Sequence, residues 1–182
     1  MLWPGCRSIP SITINQNKTD SIAKMKNKRY IFLCLLVSLC TTLSAQKAFR
    51  PIKDNLKAKK PAEAMKHVEK LSKDSTFMHD ARLYAYGVEC SVMQNSQINE
   101  KIYLKQKYDT LQFFKSIYDV YTYIMRCDQE EAKDIQTPKQ KYKYRKGHQK
   151  LLFDYMPNLN AGGRYLYSKG KYKEALEYLD LY

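Results

Sequence analysis

Gly162-Gly163-Arg164-Tyr165-Leu166-Tyr167-Ser168-Lys169-Gly170-Lys171-Tyr172-Lys173-Glu174-Ala175-Leu176-Glu177-Tyr178-Leu179 is the stretch whose reading decides the fold. It predicts two helices meeting at Gly170. Gly163 is a small residue inside the first helix, which costs stability unless another backbone packs against it. Gly170 falls where that helix stops and suits the left-handed C′ position. Ala175 falls on the buried side of the second helix, with Tyr172 and Leu179 around it at i−3 and i+4.

The frame Gly163-x2-Leu166-x3-Gly170-x-Tyr172-x2-Ala175-x3-Leu179 resembles the tetratricopeptide repeat (TPR), whose period is roughly 34 residues. Leu166 stands where that family usually has Tyr. A second copy of the core spacing supports an internal repeat: Leu83, Gly87 and Cys90 hold the spacing of Leu159, Gly163 and Leu166. The resemblance implies an all-α, right-handed array of antiparallel helix pairs, about three to four of them. It also implies an interaction scaffold that binds a protein or peptide in the groove formed by its first helices. The final helix exposes Leu176, Leu179 and Leu181 to no following repeat, which suggests a piece of a longer array and self-association through that edge.

Working outward, the chain divides in three. Residues 1–24 mix Trp3-Pro4-Gly5-Cys6 with a polar run and show no periodicity; they read as a mis-assigned or disordered extension. Residues 25–45 have a basic start (Lys26, Lys28, Arg29), an apolar stretch over 30–40 and small residues ending at Ala45. That is a secretory signal peptide, its apolar part too short for a membrane span. The expected mature chain begins at Gln46 and is periplasmic or associated with an outer membrane. Lipidation at Cys40 is the alternative, although Leu39 before it is large for such a site.

The whole chain carries a formal net charge of +14. Residues 46–182 hold 26 basic against 17 acidic residues, or +9. Two cysteines remain there, Cys90 and Cys127, and the spacing leaves a disulfide or two buried thiols equally open. An abundance of tyrosine, 16 against six Phe and one Trp, suits half-exposed helix faces and binding surfaces. Few Gly and Pro favour an all-α chain.

Residues 46–78 read as a first, degenerate helix pair. Ile52, Asn55 and Leu56 share one face, Lys59-Lys60 breaks the helix, and Pro61 opens the next as an N1 proline. Ala64, Val68 and Leu71 repeat the pattern seen at Ala175 and Leu179. Residues 79–94 form the next helix, Asn95-Ser96 its turn, and 97–108 its partner. Asp109 with Gln112 makes a capping box for the most apolar helix, which runs to about Cys127 and belongs at the centre of the array. A polar loop over 128–136 follows, with Glu130-Glu131 an ordinary solvated pair. Thr137-Pro138 then opens a basic helix over 139–155, and Pro157 starts the final pair.

That basic helix is the strongest candidate for binding. Lys139, Lys141, Lys143, Arg145, Lys146 and Lys150, with no acid among them and tyrosines interleaved, have the composition that holds polyanions. In an exported protein an anionic glycan, a lipid headgroup or an acidic protein segment fits better than nucleic acid. His67, His79 and His148 pair with no obvious acid or nucleophile. No serine-nucleophile, metalloprotease or phosphate-loop motif is present, so no catalytic, cofactor or metal-ligating residue is assigned. A protein or peptide scaffold is therefore the expected function; an outer-membrane-associated glycan-binding accessory protein is the alternative.

Overall fold

A computed structural model describes residues 47–135, 137 and 140–182; the proposed leader over 25–45 and Lys139 lie outside them. Six helices hold 77% of the described residues, with no strand among them, so this part of the chain is all-α. They are α1 (47–57), α2 (Pro61–Leu71), α3 (Ala81–Tyr103), α4 (Thr110–Asp134), α5 (Arg145–Ser168) and α6 (Tyr172–Asp180). From α2 onward, each helix packs chiefly on the helices before and after it in the chain.

Three turns are built alike. Gly170 has φ +73°, and Lys171 N–H reaches back to Leu166 O at 3.0 Å. The α1–α2 turn has no glycine, yet Lys59 takes φ +55° and Lys60 N–H donates to Asn55 O at 2.9 Å. Lys105 does the same after α3 at φ +52°, with Gln106 N–H on Lys101 O at 2.8 Å. Each is a Schellman ending, which satisfies carbonyls that the helix leaves open. Ala64 and Ala175 then start equivalent partner helices, each N–H bonding the residue four before it, and both are fully buried.

The repeated spacing in α3 and α5 is wholly interior: Leu83, Gly87 and Cys90 are buried, as are Leu159, Gly163 and Leu166. The glycines admit close neighbours. A Cβ on Gly87 would lie 2.5 Å from the Tyr123 ring of α4. One on Gly163 would lie 3.2 Å from Leu179 and 3.5 Å from the backbone oxygen of Ala175. Four apolar clusters follow along the chain. One joins Phe49, Ile52 and Leu56 to α2 and α3, two join α3 to α4, and one joins Ile117 and Tyr121 to α5 and α6. The apolar helix α4 thus lies between α3 and α5.

Several expected boundaries are corrected. Asn95 and Ser96 are interior to α3, not a turn, and α3 continues to Tyr103. Asn95 is buried because its amide donates to Ser116 Oγ on α4 at 3.0 Å and accepts from Asn99 at 2.7 Å. Helix α4 runs past Cys127 to Asp134, so 128–134 is helical and Glu130 and Glu131 are buried. The basic run is not one helix: 140–144 is non-helical and α5 begins at Arg145. Pro157 lies inside α5 rather than opening a helix. Proline removes a bond to the carbonyl four residues back; Pro157 and Phe153 are both solvent-exposed, so water can take that carbonyl. On α6 the buried residues are Ala175 and Tyr178, while Tyr172 faces outward, 60% exposed, edge-on to Tyr167. Cys90 and Cys127 are free, buried thiols.

Candidate binding groove

The odd-numbered helices share a groove of about 930 Å³. Phe49 and Lys53 come from α1, Tyr86, Glu89, Val92 and Met93 from α3, and Gly147, His148 and Leu151 from α5. The helix period explains this third face of α3. Leu83 and Cys90 pack with α1 and α2, Tyr84 and Val88 with the clusters shared with α4, and residues 85, 86, 92 and 93, at the margins of those clusters, line the groove with the exposed Glu89. Its walls are apolar and half-buried: Tyr86, Val92, Met93 and Leu151.

Its charged groups are held in place. Lys53 Nζ lies 5.9 Å above the Tyr86 ring, and the Arg82 guanidinium 5.4 Å above Phe49. Arg82 is also fixed by Asp80, with Nη2 2.6 Å from Oδ2 and Nε 3.0 Å from Oδ1. The same carboxylate accepts from Arg82 N–H at 2.9 Å as the N-cap of α3, so one acid sets both the helix start and the cation. Lys53, Arg82 and Lys143 face the groove against one acid, Glu89.

The segment 140–144 is tied to the acidic end of α4. Glu131 Oε1 accepts from Lys143 N–H, and Oε2 from Tyr144 N–H at 3.5 Å. Helix α5 has no side-chain cap of its own, and Arg145 and Lys146 in its first turn oppose the helix dipole. A buried carboxylate from the neighbouring helix instead holds the two amides that lead into α5 and sets a negative charge beside its start. His148 is buried, with Nδ1 3.3 Å from Asp128 Oδ1, and Tyr144 stacks over it. Glu130 meets His79 Nδ1 at 3.1 Å and Lys133 Nζ at 2.8 Å. Two of the three histidines that looked solitary in sequence, His148 and His79, therefore have carboxylate partners, 20 and 51 positions away.

The cationic candidates are split by this arrangement. Lys141 and Lys143 line a second cavity of about 550 Å³ with His79, Asp80, Arg82 and Glu131. Arg145 stacks on Tyr142 at 4.6 Å, Lys143 lies over Tyr144 at 5.1 Å, and Lys146 and Lys150 are exposed on α5. Among the described residues none of these five is ion-paired. Of these five only Lys143 lines both cavities, as do Arg82 and Tyr144. Gly87, Gly163, Ala64 and Ala175 lie in the packing behind the groove, and Gly170 and Tyr172 at a turn away from it. Val92 and Met93 were missed by the sequence reading; their apolar character at helical spacing from Tyr86 and Glu89 on α3 was the available signal.

Among the described residues no group of three or more His, Cys, Asp or Glu is placed to hold a metal ion, and no helix is long and apolar enough to cross a membrane. No protein-family model, no curated protein and no solved structure matches this chain.

Proposed function

We propose that this chain is a TPR-like interaction scaffold, which holds a peptide segment of a partner protein in the groove of α1, α3 and α5. The observation that carries the reading is the alternation: every second helix contributes to one continuous face, which is how stacked helix pairs generate an extended binding surface. Apolar walls with cations fixed at the margin favour a segment combining apolar anchors with acidic residues. The leader-like composition of residues 25–45 supports export of this scaffold. An unmodified Gln46 at the mature N-terminus, read by mass spectrometry, agrees with a freely exported scaffold. A lipidated Cys40 would instead favour the surface-anchored glycan-binding reading.

A random-peptide display library panned against the full chain tests the groove. Selected peptides are expected to be acidic with apolar anchors. Their affinity should fall about tenfold or more with Val92→Glu or Lys53→Glu, a cost of about 1.4 kcal/mol. Peptides whose affinity is unchanged in both variants would place the binding surface elsewhere and overturn the proposal.

A further inference from the structure

The three Schellman turns lie at one end of the array. Gln97 Nε2 on α3 donates to Lys59 O at 2.9 Å, which joins the first turn to the C-terminal part of α3. Tyr165 on α5 lines a common cavity with Lys101, Lys107 and Tyr108, which joins the second turn to the third. Each turn carries lysines: Lys59 and Lys60, Lys105 and Lys107, Lys169 and Lys171. Among the described residues only Lys171 of these six is ion-paired, to Glu174 at 3.6 Å. Asp109, beside the second turn, is already engaged as the N-cap of α4. Glu100 is the other exposed acid beside that turn; Glu63, near Lys60 but paired with Lys66, and Glu174 stand beside the other two.

Large apolar side chains stand among these cations. Tyr103 is 86% exposed, Tyr167 64%, Tyr172 60% and Leu104 53%. Scattered exposed apolar residues are ordinary, but a group interleaved with unpaired lysines at one end is a surface with two chemistries. A phosphodiester or sulfated-sugar chain would use the lysines and leave Leu104 without a role. A bilayer interface takes all of them: anionic headgroups for the lysines, the headgroup–acyl boundary for tyrosine and leucine. Lys59 and Lys105 also stand at left-handed positions where glycine is easier to accommodate, so each turn bears a charge at a conformational cost.

We propose that this end of the array docks on an anionic lipid surface, with the turn lysines against headgroup phosphates and Tyr103, Leu104, Tyr167 and Tyr172 at the interface. The site is separate from the groove and does not depend on what the groove binds.

The test uses the full chain carrying Trp3→Phe, with Tyr103→Trp as the sole tryptophan and Phe153→Trp as a control in a sister protein. Vesicles contain phosphatidylcholine with or without phosphatidylglycerol, and brominated acyl chains serve as quenchers. Emission from position 103 should shift to the blue and be quenched on anionic vesicles only, with reversal at high salt, while position 153 stays unchanged. Combined Lys105→Glu, Lys107→Glu and Lys169→Glu should weaken the anionic-vesicle response about tenfold or more. The same loss of charge at Lys141, Lys143 and Lys146 should change it less than about threefold. An unresponsive position 103 would overturn the proposal, as would an equal response on pure phosphatidylcholine. Heparin retention that depends on the turn lysines without any vesicle response would assign this end to a soluble polyanion instead.

Discussion

At Gly87 and Gly147 the same substitution has opposite expected signs. Alanine is favoured over glycine inside a helix by roughly 1 kcal/mol, so either glycine must be judged by its surroundings. At Gly147 a Cβ would meet nothing within 4 Å, and Gly147→Ala should raise stability by about 0.5–1 kcal/mol. At Gly87 it would meet the Tyr123 ring at 2.5 Å. That ring packs on three of the four clusters, so it has little room to retreat. Gly87→Ala should therefore destabilise by about 1–3 kcal/mol net, with partial rescue by Tyr123→Leu. Urea unfolding of the two alanine variants checks both signs; stabilisation by Gly87→Ala would show that the ring gives way. The sequence showed that position 87 calls for a small residue but not why, because Tyr123 is 36 positions away on another helix.

The acidic end of α4 governs two neighbouring segments, and its role depends on ionised carboxylates. Glu131 anchors the Lys143 and Tyr144 amides at the entry to α5, which has no side-chain cap. In Glu131→Ala, amide exchange over 140–150 should accelerate at least tenfold while α3 is little changed, at a cost of about 1–2 kcal/mol. Uniform protection in both proteins would mean the anchor is dispensable. For Glu130, burial pushes the carboxyl pKa up, but hydrogen bonds and charge from Lys133 and His79 outweigh this and hold it below the usual value of 4.5. A carboxyl with a depressed folded-state pKa contributes stability above its unfolded value and loses that contribution as pH falls through the folded one. Acidification below about pH 4.5 should therefore lower the melting temperature of the native chain more than that of Glu130→Gln. Asp119 works the other way: burial outweighs Lys115 and raises its pKa, so its ionisation opposes folding as pH rises. None of this end was legible in sequence. Asp128, Glu130 and Glu131 looked like loop acids because their partners His148, His79 and the 143–144 amides come from other elements. Asn95 was misread for the same reason, since Ser116 is what lets a turn-forming residue sit inside a helix. Local signals survived: Pro61 at N1, Asp109 at its cap, Gly170 at its turn and the interior Leu-x3-Gly frames.

The array as a whole is a sequence of neighbour contacts, and its stability should divide accordingly. Such chains fold from local contacts and approximate a one-dimensional series in which an end can open without the rest. Cys90 and Cys127 can report this, because burial pushes both thiols up to about 12. At pH 8 both thiols are held protonated in the folded chain, so alkylation measures opening. Cys90 belongs to the cluster of α1, α2 and α3, whereas Cys127 bridges to α3 through Ala81 O at 3.3 Å. A Cβ at Gly162 would sit 2.9 Å from the Tyr178 ring of α6 and 3.0 Å from Phe114 in the first turns of α4, which strains the C-terminal end of the bundle and touches neither α1 nor α2. With Cys6→Ser, Cys34→Ser and Cys40→Ser as background, Gly162→Ala should loosen α6 by amide exchange and leave Cys90 alkylation unchanged. Gly87→Ala, at the α3–α4 seam, should accelerate alkylation of both thiols about tenfold or more, as expected for a loss of about 1.4 kcal/mol or more. If Gly162→Ala speeds Cys90 as much as Gly87→Ala does, the six helices unfold as one cooperative unit. Independent opening of the α5–α6 end would then be wrong.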